Sequence, residues 1–261
     1  MRNWFIIPLF LTCLLLAGIS MAGSPYHIVT NQLPPLKFEE KGIVRGITVD
    51  VLYQIMKDVG DPINVADINS MSWARAFEDA QTIPNTIILS MARTTAREDL
   101  FKWVGPVYSI QLGLIGKKQG KFIVESAADA SLYTVGALRD TAPAQLLVNQ
   151  GFPVDKLNYL AKTEQALRML DQGRIDLFAH TADSSFYMMP LLGIDPSEYK
   201  VYYVIRKAIP LYIGFHKDFS DDYIAKLQTA FDSLKLPQNG GESPYDEIVQ
   251  RYVKDRSFIS K

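Results

Sequence analysis

A single cysteine, Cys13, among 261 residues rules out an intramolecular disulfide framework and a cysteine-based zinc site. Charge of one sign is missing too. Lys plus Arg number 27 against 28 Asp plus Glu, a net charge of -1, and duplex binding needs a concentrated excess of Lys and Arg, so nucleic acid is not expected as the main partner. The three histidines, His27, His180 and His216, stand far apart without HExxH or paired-carboxylate spacing, which argues against a metal site. No P-loop, GxGxxG or GxSxG elbow occurs, and no cofactor is expected. After residue 18 no run approaches the ~20 apolar residues of a membrane span. Against these absences, 48% hydrophobic and 21% charged residues describe a globular chain able to bury a large core.

Residues 5–18 form an uncharged apolar run behind Arg2, followed by Ser20-Met21-Ala22-Gly23. A positive start, a run short for a bilayer and small residues before Gly23 predict a secretory signal peptide at 1–22, cut after Ala22. The bland alternative is an uncleaved N-terminal anchor. Cys13 lies inside the run and leaves with it, so the exported, periplasmic chain has to be stabilised by packing.

Downstream, short apolar runs alternate with amphipathic stretches, the pattern of βα units feeding mostly parallel sheets. Strands are expected at 26–30, 86–91, 111–116, 133–138, 175–179, 201–205 and 211–215. Val51, Leu52, Ile55, Met56 and Val59 make one helical stripe, stopped by Gly60 and Pro62. Ala166, Leu167 and Leu170 make another, with Thr163 as N-cap and Gly173 as stop. The strand, turn, helix, strand grammar runs over 26–91 and again over 133–179. An α/β fold of two lobes follows, each a mostly parallel sheet flanked by helices: 23–116 with 210–261 as lobe 1 and 117–209 as lobe 2. Crossings are expected at 117–121 and 206–210, with a ligand in the cleft at the carboxyl ends of strands.

The segment 90–108, SMARTTAREDLFKWVGPVY, leaves an apolar strand, presents hydroxyls and two arginines, and returns through aromatics. A guanidinium fork grips a carboxylate with two parallel hydrogen bonds, so Arg93 or Arg97 beyond a strand end is a candidate anion clamp. The plainer alternative is an arginine paired with Glu98 or Asp99 on a solvated face.

Several pieces stand in a recognisable order: Pro34-Pro35, then Gly46-Ile47-Thr48-Val49-Asp50-Val51, Trp73, the 90–108 segment, Val135-Gly136-Ala137-Leu138-Arg139-Asp140-Thr141, Gly173-Arg174-Ile175-Asp176 and the closing stretch 244–252. Together they resemble the bacterial extracellular solute-binding proteins of the type-three, polar-amino-acid family, the periplasmic receptors of ABC importers. The resemblance implies a two-lobed periplasmic binding protein fold and a monomer that captures a small carboxylate-bearing solute for a membrane permease or sensor. It gives Arg97 the place of the arginine that binds the α-carboxylate. Ser90 and the Ala92 amide add hydrogen bonds, and Trp73 an aromatic wall. In the second lobe Thr141, at a helix start, closes on the same carboxylate or simply caps the helix. Arg93, Arg139 and Asp183 are secondary candidates.

Two positions depart from the family. Thr181, itself a candidate ligand contact, stands where an acidic residue commonly holds the ligand ammonium, with Asp183 two residues on, and Leu33 replaces the aromatic of the first βα turn. Asp176 reads as structural. Binding without catalysis is the leading expectation. The alternatives are a dehydratase of the same fold acting on a cyclic carboxylate, with Asp183 or His180 protonating a leaving hydroxyl, and an exported ligand-sensing module for a membrane receptor.

Overall fold

In the computed structural model, which describes residues 25–139, 141–238 and 240–253, the apolar runs become strands and the amphipathic stretches become helices that cover them. The chain opens with β1 (His27–Thr30), the hairpin β2 (Phe38–Glu40) and β3 (Ile43–Arg45), α1 (Ile47–Asp58), β4 (Ile68–Ser70), α2 (Trp73–Thr82) and β5 (Thr86–Ala92). The long β6 (Phe101–Lys117) follows. It leads to β7 (Val135–Leu138), α3 (Ala142–Asn149), β8 (Leu157–Leu160), α4 (Thr163–Asp171), β9 (Leu177–Thr181) and α5 (Ala182–Leu191). The equally long β10 (Tyr199–His216) returns, and α6 (Asp221–Leu234) and α7 (Pro244–Tyr252) close the chain. The expected signal peptide and Cys13 lie outside the described residues.

The two-lobed architecture is carried by one sheet, ordered β4-β1-β5-β10-β6-β9-β7-β8. β1 pairs in parallel with β4 and β5, and β7 in parallel with β8 and β9, so each flank is a parallel triplet built by the doubled βα grammar. Between them β6 and β10 run antiparallel from Phe101↔His216 to Lys117↔Tyr199. Parallel strands are covered on both faces and read as continuous apolar runs, as in β5, where six successive residues are buried. α1 buries Val51, Leu52, Ile55 and Met56 on the first triplet, and α4 buries Ala166, Leu167 and Leu170 against Phe178 of the second and Ile115 of β6.

Several sequence expectations need adjustment. The stretches 201–205 and 211–215 are parts of one strand, because register shifts between Val204/Arg206 and Arg206/Ile209 absorb the polar interruption without ending the ladder. The 111–116 stretch is likewise the end of β6. In the polar stretch 117–121, β6 continues to Lys117, and Lys118–Gly120 is a short 3-10 turn beyond it. Partner exchange happens inside the strands, β5 joining β10 at 211–215 and β9 joining β6 at 112–116. Thr163 is the first residue of α4, and Lys162 is its N-cap. Among the described residues no helix is long and apolar enough to cross a membrane.

Candidate functional site

The candidate residues collect at the carboxyl ends of strands and in the first turns of the helices that follow, the edge where open α/β sheets bind ligands. Ser90 and Ala92 end β5, Trp73 opens α2, Thr141 is the N-cap of α3, and Thr181 ends β9 as the N-cap of α5.

The two arginines of the 90–108 segment have different surroundings. Arg93 is exposed and forms a two-pronged ion pair with Glu98, its Nε 2.8 Å from Oε2, with the guanidinium over Trp103 and Tyr212. This pair raises the Arg93 pKa and lowers that of Glu98. Arg93 thus has the solvated pairing expected as the plainer alternative. Arg97 is half-buried and pairs with no carboxylate among the described residues. Its guanidinium lies 5.3 Å from the Trp73 ring centroid and 5.1 Å from that of Phe77, and Nη1 donates to the Ala92 carbonyl at 3.1 Å. Burial lowers its pKa, yet a guanidinium stays charged. One hydrogen bond to a carbonyl leaves most of its five N–H donors for an anion.

Ser90 reaches its place through a β-bulge. β10 contributes only Ile213 between the pairs Tyr212↔Met91 and Gly214↔Ile88, whereas β5 contributes Leu89 and Ser90. Ser90 takes the left-handed conformation, φ 49°, uncommon outside glycine. Its hydroxyl lies 2.8 Å from that of Thr48, in the first turn of α1. The carbonyls turned out of the ladder are met by Lys37, whose Nζ donates to Leu89 O at 2.5 Å, Asn31 Oδ1 at 2.9 Å and, more weakly, Ser90 O at 3.5 Å. Lys37 is 1% exposed, and burial lowers its pKa to about 7. Its place is fixed by backbone packing: the turn at 33–37 folds over the start of α1, where the Ile47 and Thr48 amides donate to Pro35 O and Leu36 O. Gly46, at φ 130°, permits that approach, since a Cβ there would stand 2.5 Å from the Leu36 carbonyl carbon. Sequence reasoning missed Lys37. The one signal was a lysine in an otherwise apolar PPLKF stretch.

In the second lobe Thr141 does not cap α3 with its side chain; the hydroxyl donates back to Leu138 O at 2.8 Å. Thr181 is buried and gives no side-chain cap to α5. Asp183 is buried in the first turn of α5 and accepts the Tyr108 hydroxyl at 2.7 Å. Arg139 is exposed, with its guanidinium 4.8 Å over the Tyr159 ring. Asp176 accepts the Thr134 amide at 2.8 Å, a structural task. His180 is buried, with Nδ1 2.9 Å from Ser185 Oγ and its ring stacked 4.8 Å from Phe178; burial lowers its pKa to about 4. Gln111, also buried, has a side-chain carbonyl oxygen with no hydrogen-bond partner among the described residues. Side-chain contacts therefore link Arg97 to Trp73 and Ala92, and Lys37 to Trp73 and Ser90, whereas Arg93 is paired with Glu98 and Arg139 lies over Tyr159.

Residues 27–254 match the family described as bacterial extracellular solute-binding proteins, family 3. No curated protein matches the sequence. Among solved structures, an ABC uptake transporter substrate-binding protein from Streptococcus pneumoniae with bound histidine is 19% identical with a TM-score of 0.67, over 90% of this chain and 95% of that one. A mutant of ArgBP from T. maritima is 18% identical with a TM-score of 0.65, over 88% and 96%. A histidine kinase sensor domain similar to periplasmic binding proteins is 14% identical with a TM-score of 0.67, again over 88% and 96%.

Proposed function

Because the chain belongs to the bacterial extracellular solute-binding proteins, family 3, we propose that it captures a small carboxylate-bearing solute in the periplasm, between its two lobes, and hands it to an ABC permease. The observation that carries this reading is the contrast between the arginines: Arg93 is neutralised by Glu98, while Arg97 is held on Trp73 and Phe77 with no carboxylate of its own among the described residues. A half-buried cation oriented by aromatic rings and by the Ala92 carbonyl has paid little of its cost through protein pairing, and an anionic ligand completes it. Ser90 and the Ala92 amide supply further donors from the same strand end. Ligand capture would favour the closed arrangement of the lobes by the difference in contacts between the two states.

Catalysis is less well supported. The dehydratase alternative asks His180 or Asp183 to deliver a proton, but His180 is neutral near pH 7 and engaged with Ser185, and Asp183 is engaged with Tyr108. A sensing role shares the same capture step, and the likeness to a histidine kinase sensor domain favours it as a second reading of the partner. Calorimetric titration with the twenty L-amino acids, acetate, succinate and 2-oxoglutarate tests the capture. Uptake of the bound solute by cells lacking the gene separates the partners: lost uptake supports a permease, and intact uptake with a lost transcriptional response supports a sensor.

A further inference from the structure

We propose that Lys37 is the positioning residue of this site, a buried cation that holds the Ser90 bulge in its binding geometry and has the ligand carboxylate as its counter-ion. The inference rests on the carboxylate-capture reading and deepens it. Three observations carry it. First, the ammonium meets the carbonyls of the bulge at Leu89 and Ser90, so Lys37 braces the left-handed Ser90 backbone while Thr48 holds its hydroxyl. Without a donor there, two strand carbonyls would be left facing a buried gap. Second, Lys37 Nζ stands 5.8 Å from the centroid of Trp73, the same ring that carries the Arg97 guanidinium. Third, neither cation has a carboxylate partner among the described residues, although a buried charge is ordinarily paired.

The charged groups on the surrounding elements are committed elsewhere or exposed. Glu39 and Glu40 on β2 are exposed, and Glu40 pairs with Arg45. Asp50 on α1 is bonded to Tyr252 and Arg251. Asp79 on α2 is bonded to His27 and Arg75, and Asp183 on α5 to Tyr108. Arg97, on the same Trp73 ring, has the same sign as Lys37. An anion seated at Arg97 and Ser90 therefore favours the protonated amine, so binding takes up a proton once the pH exceeds the value near 7 of the empty site.

The test is titration calorimetry on the full-length mature protein with the same carboxylate panel, at pH 7, 8 and 9 in buffers of differing ionisation enthalpy. Lys37→Gln retains a donor for the bulge carbonyls without the charge; Lys37→Met retains neither. Circular dichroism and thermal melting verify that each variant is folded. The expected result is a wild-type affinity that falls by up to about tenfold per pH unit above 7, with net proton uptake. Both variants should bind at least about tenfold more weakly at pH 7, with no proton uptake. Wild-type affinity in folded Lys37→Gln, with the same pH profile, overturns the role of Lys37 and leaves carboxylate capture standing. If wild-type affinity is unchanged from pH 7 to 9 and binding takes up no proton, the charge has no part in binding and the counter-ion claim fails. Binding of no carboxylate by the wild type overturns capture itself, and this inference with it.

Discussion

The Tyr108 hydroxyl donates a 2.7 Å hydrogen bond to Asp183 Oδ1, joining β6 to the first turn of α5 across 75 residues of sequence. Tyr108 pairs with Leu211 on the β10 side, close to where the sheet exchanges partners. A buried carboxylate that loses a donor bears a desolvation penalty, so Tyr108→Phe is expected to destabilise the fold by about 1–3 kcal/mol. Urea denaturation followed by circular dichroism reads this, and an unchanged midpoint would contradict a structural role for the pair.

His180 predicts the acid limb of stability. Its pKa in the fold is about 4 against an ordinary 6.5, so the unfolded chain binds more protons between those values. This contribution is complete above pH 6.5 and is lost as the pH falls toward 4. In His180→Gln that part of the slope should disappear, by roughly 3 kcal/mol over the interval. Denaturation midpoints at pH 7, 6, 5 and 4.5 for both proteins measure it.

Lys37 predicts a slope at the other end. Its pKa is also depressed, to about 7 from 10.5, so the unfolded chain again binds more protons and stability rises as the pH climbs from 7 toward 10. Protonating the buried amine costs stability at pH 7 and below. Lys37→Met removes the rise, and equal slopes for wild type and variant between pH 7 and 9 would contradict it.

Trp73 is half-buried, its ring tilted 33° to that of Phe77 at 5.7 Å and its face toward Arg97. Trp73→Leu preserves apolar packing but removes the ring face that orients the guanidinium, worth about 0.5–2 kcal/mol. The expected loss in affinity is roughly 3- to 30-fold, with a small change in melting temperature. A large drop in melting with intact affinity would assign Trp73 to the core alone.

Much of this was legible in the chain. The doubled α/β grammar, the strands at 86–91 and 133–138 and the stripe of α1 follow from apolar periodicity, because parallel strands and amphipathic helices write local signals. The hairpin at 38–45 and the edge strands β4 and β8 are three or four residues long and half-exposed, so no run marks them. α5 is buried nearly all round and has no stripe to betray its helical period. The continuity of β10 was hidden by residues 206–210, since bulges carry a strand through a polar interruption that reads as a loop. At the site, spacing named Arg93 and Arg97 together, and only side-chain geometry separates the paired one from the other. Lys37 stayed hidden because its role comes from a bulge fifty residues away in sequence.

The most direct measurement compares carboxylate affinity by calorimetry in wild type, Arg93→Ala and Arg97→Ala. Arg93 is exposed and paired with Glu98, so its loss should change affinity by less than about threefold. Arg97→Ala should weaken binding of the tightest carboxylate of the panel by about 100-fold or more, the scale of a buried charge-assisted pair. Unchanged affinity in a folded Arg97→Ala variant would contradict the assignment of the site.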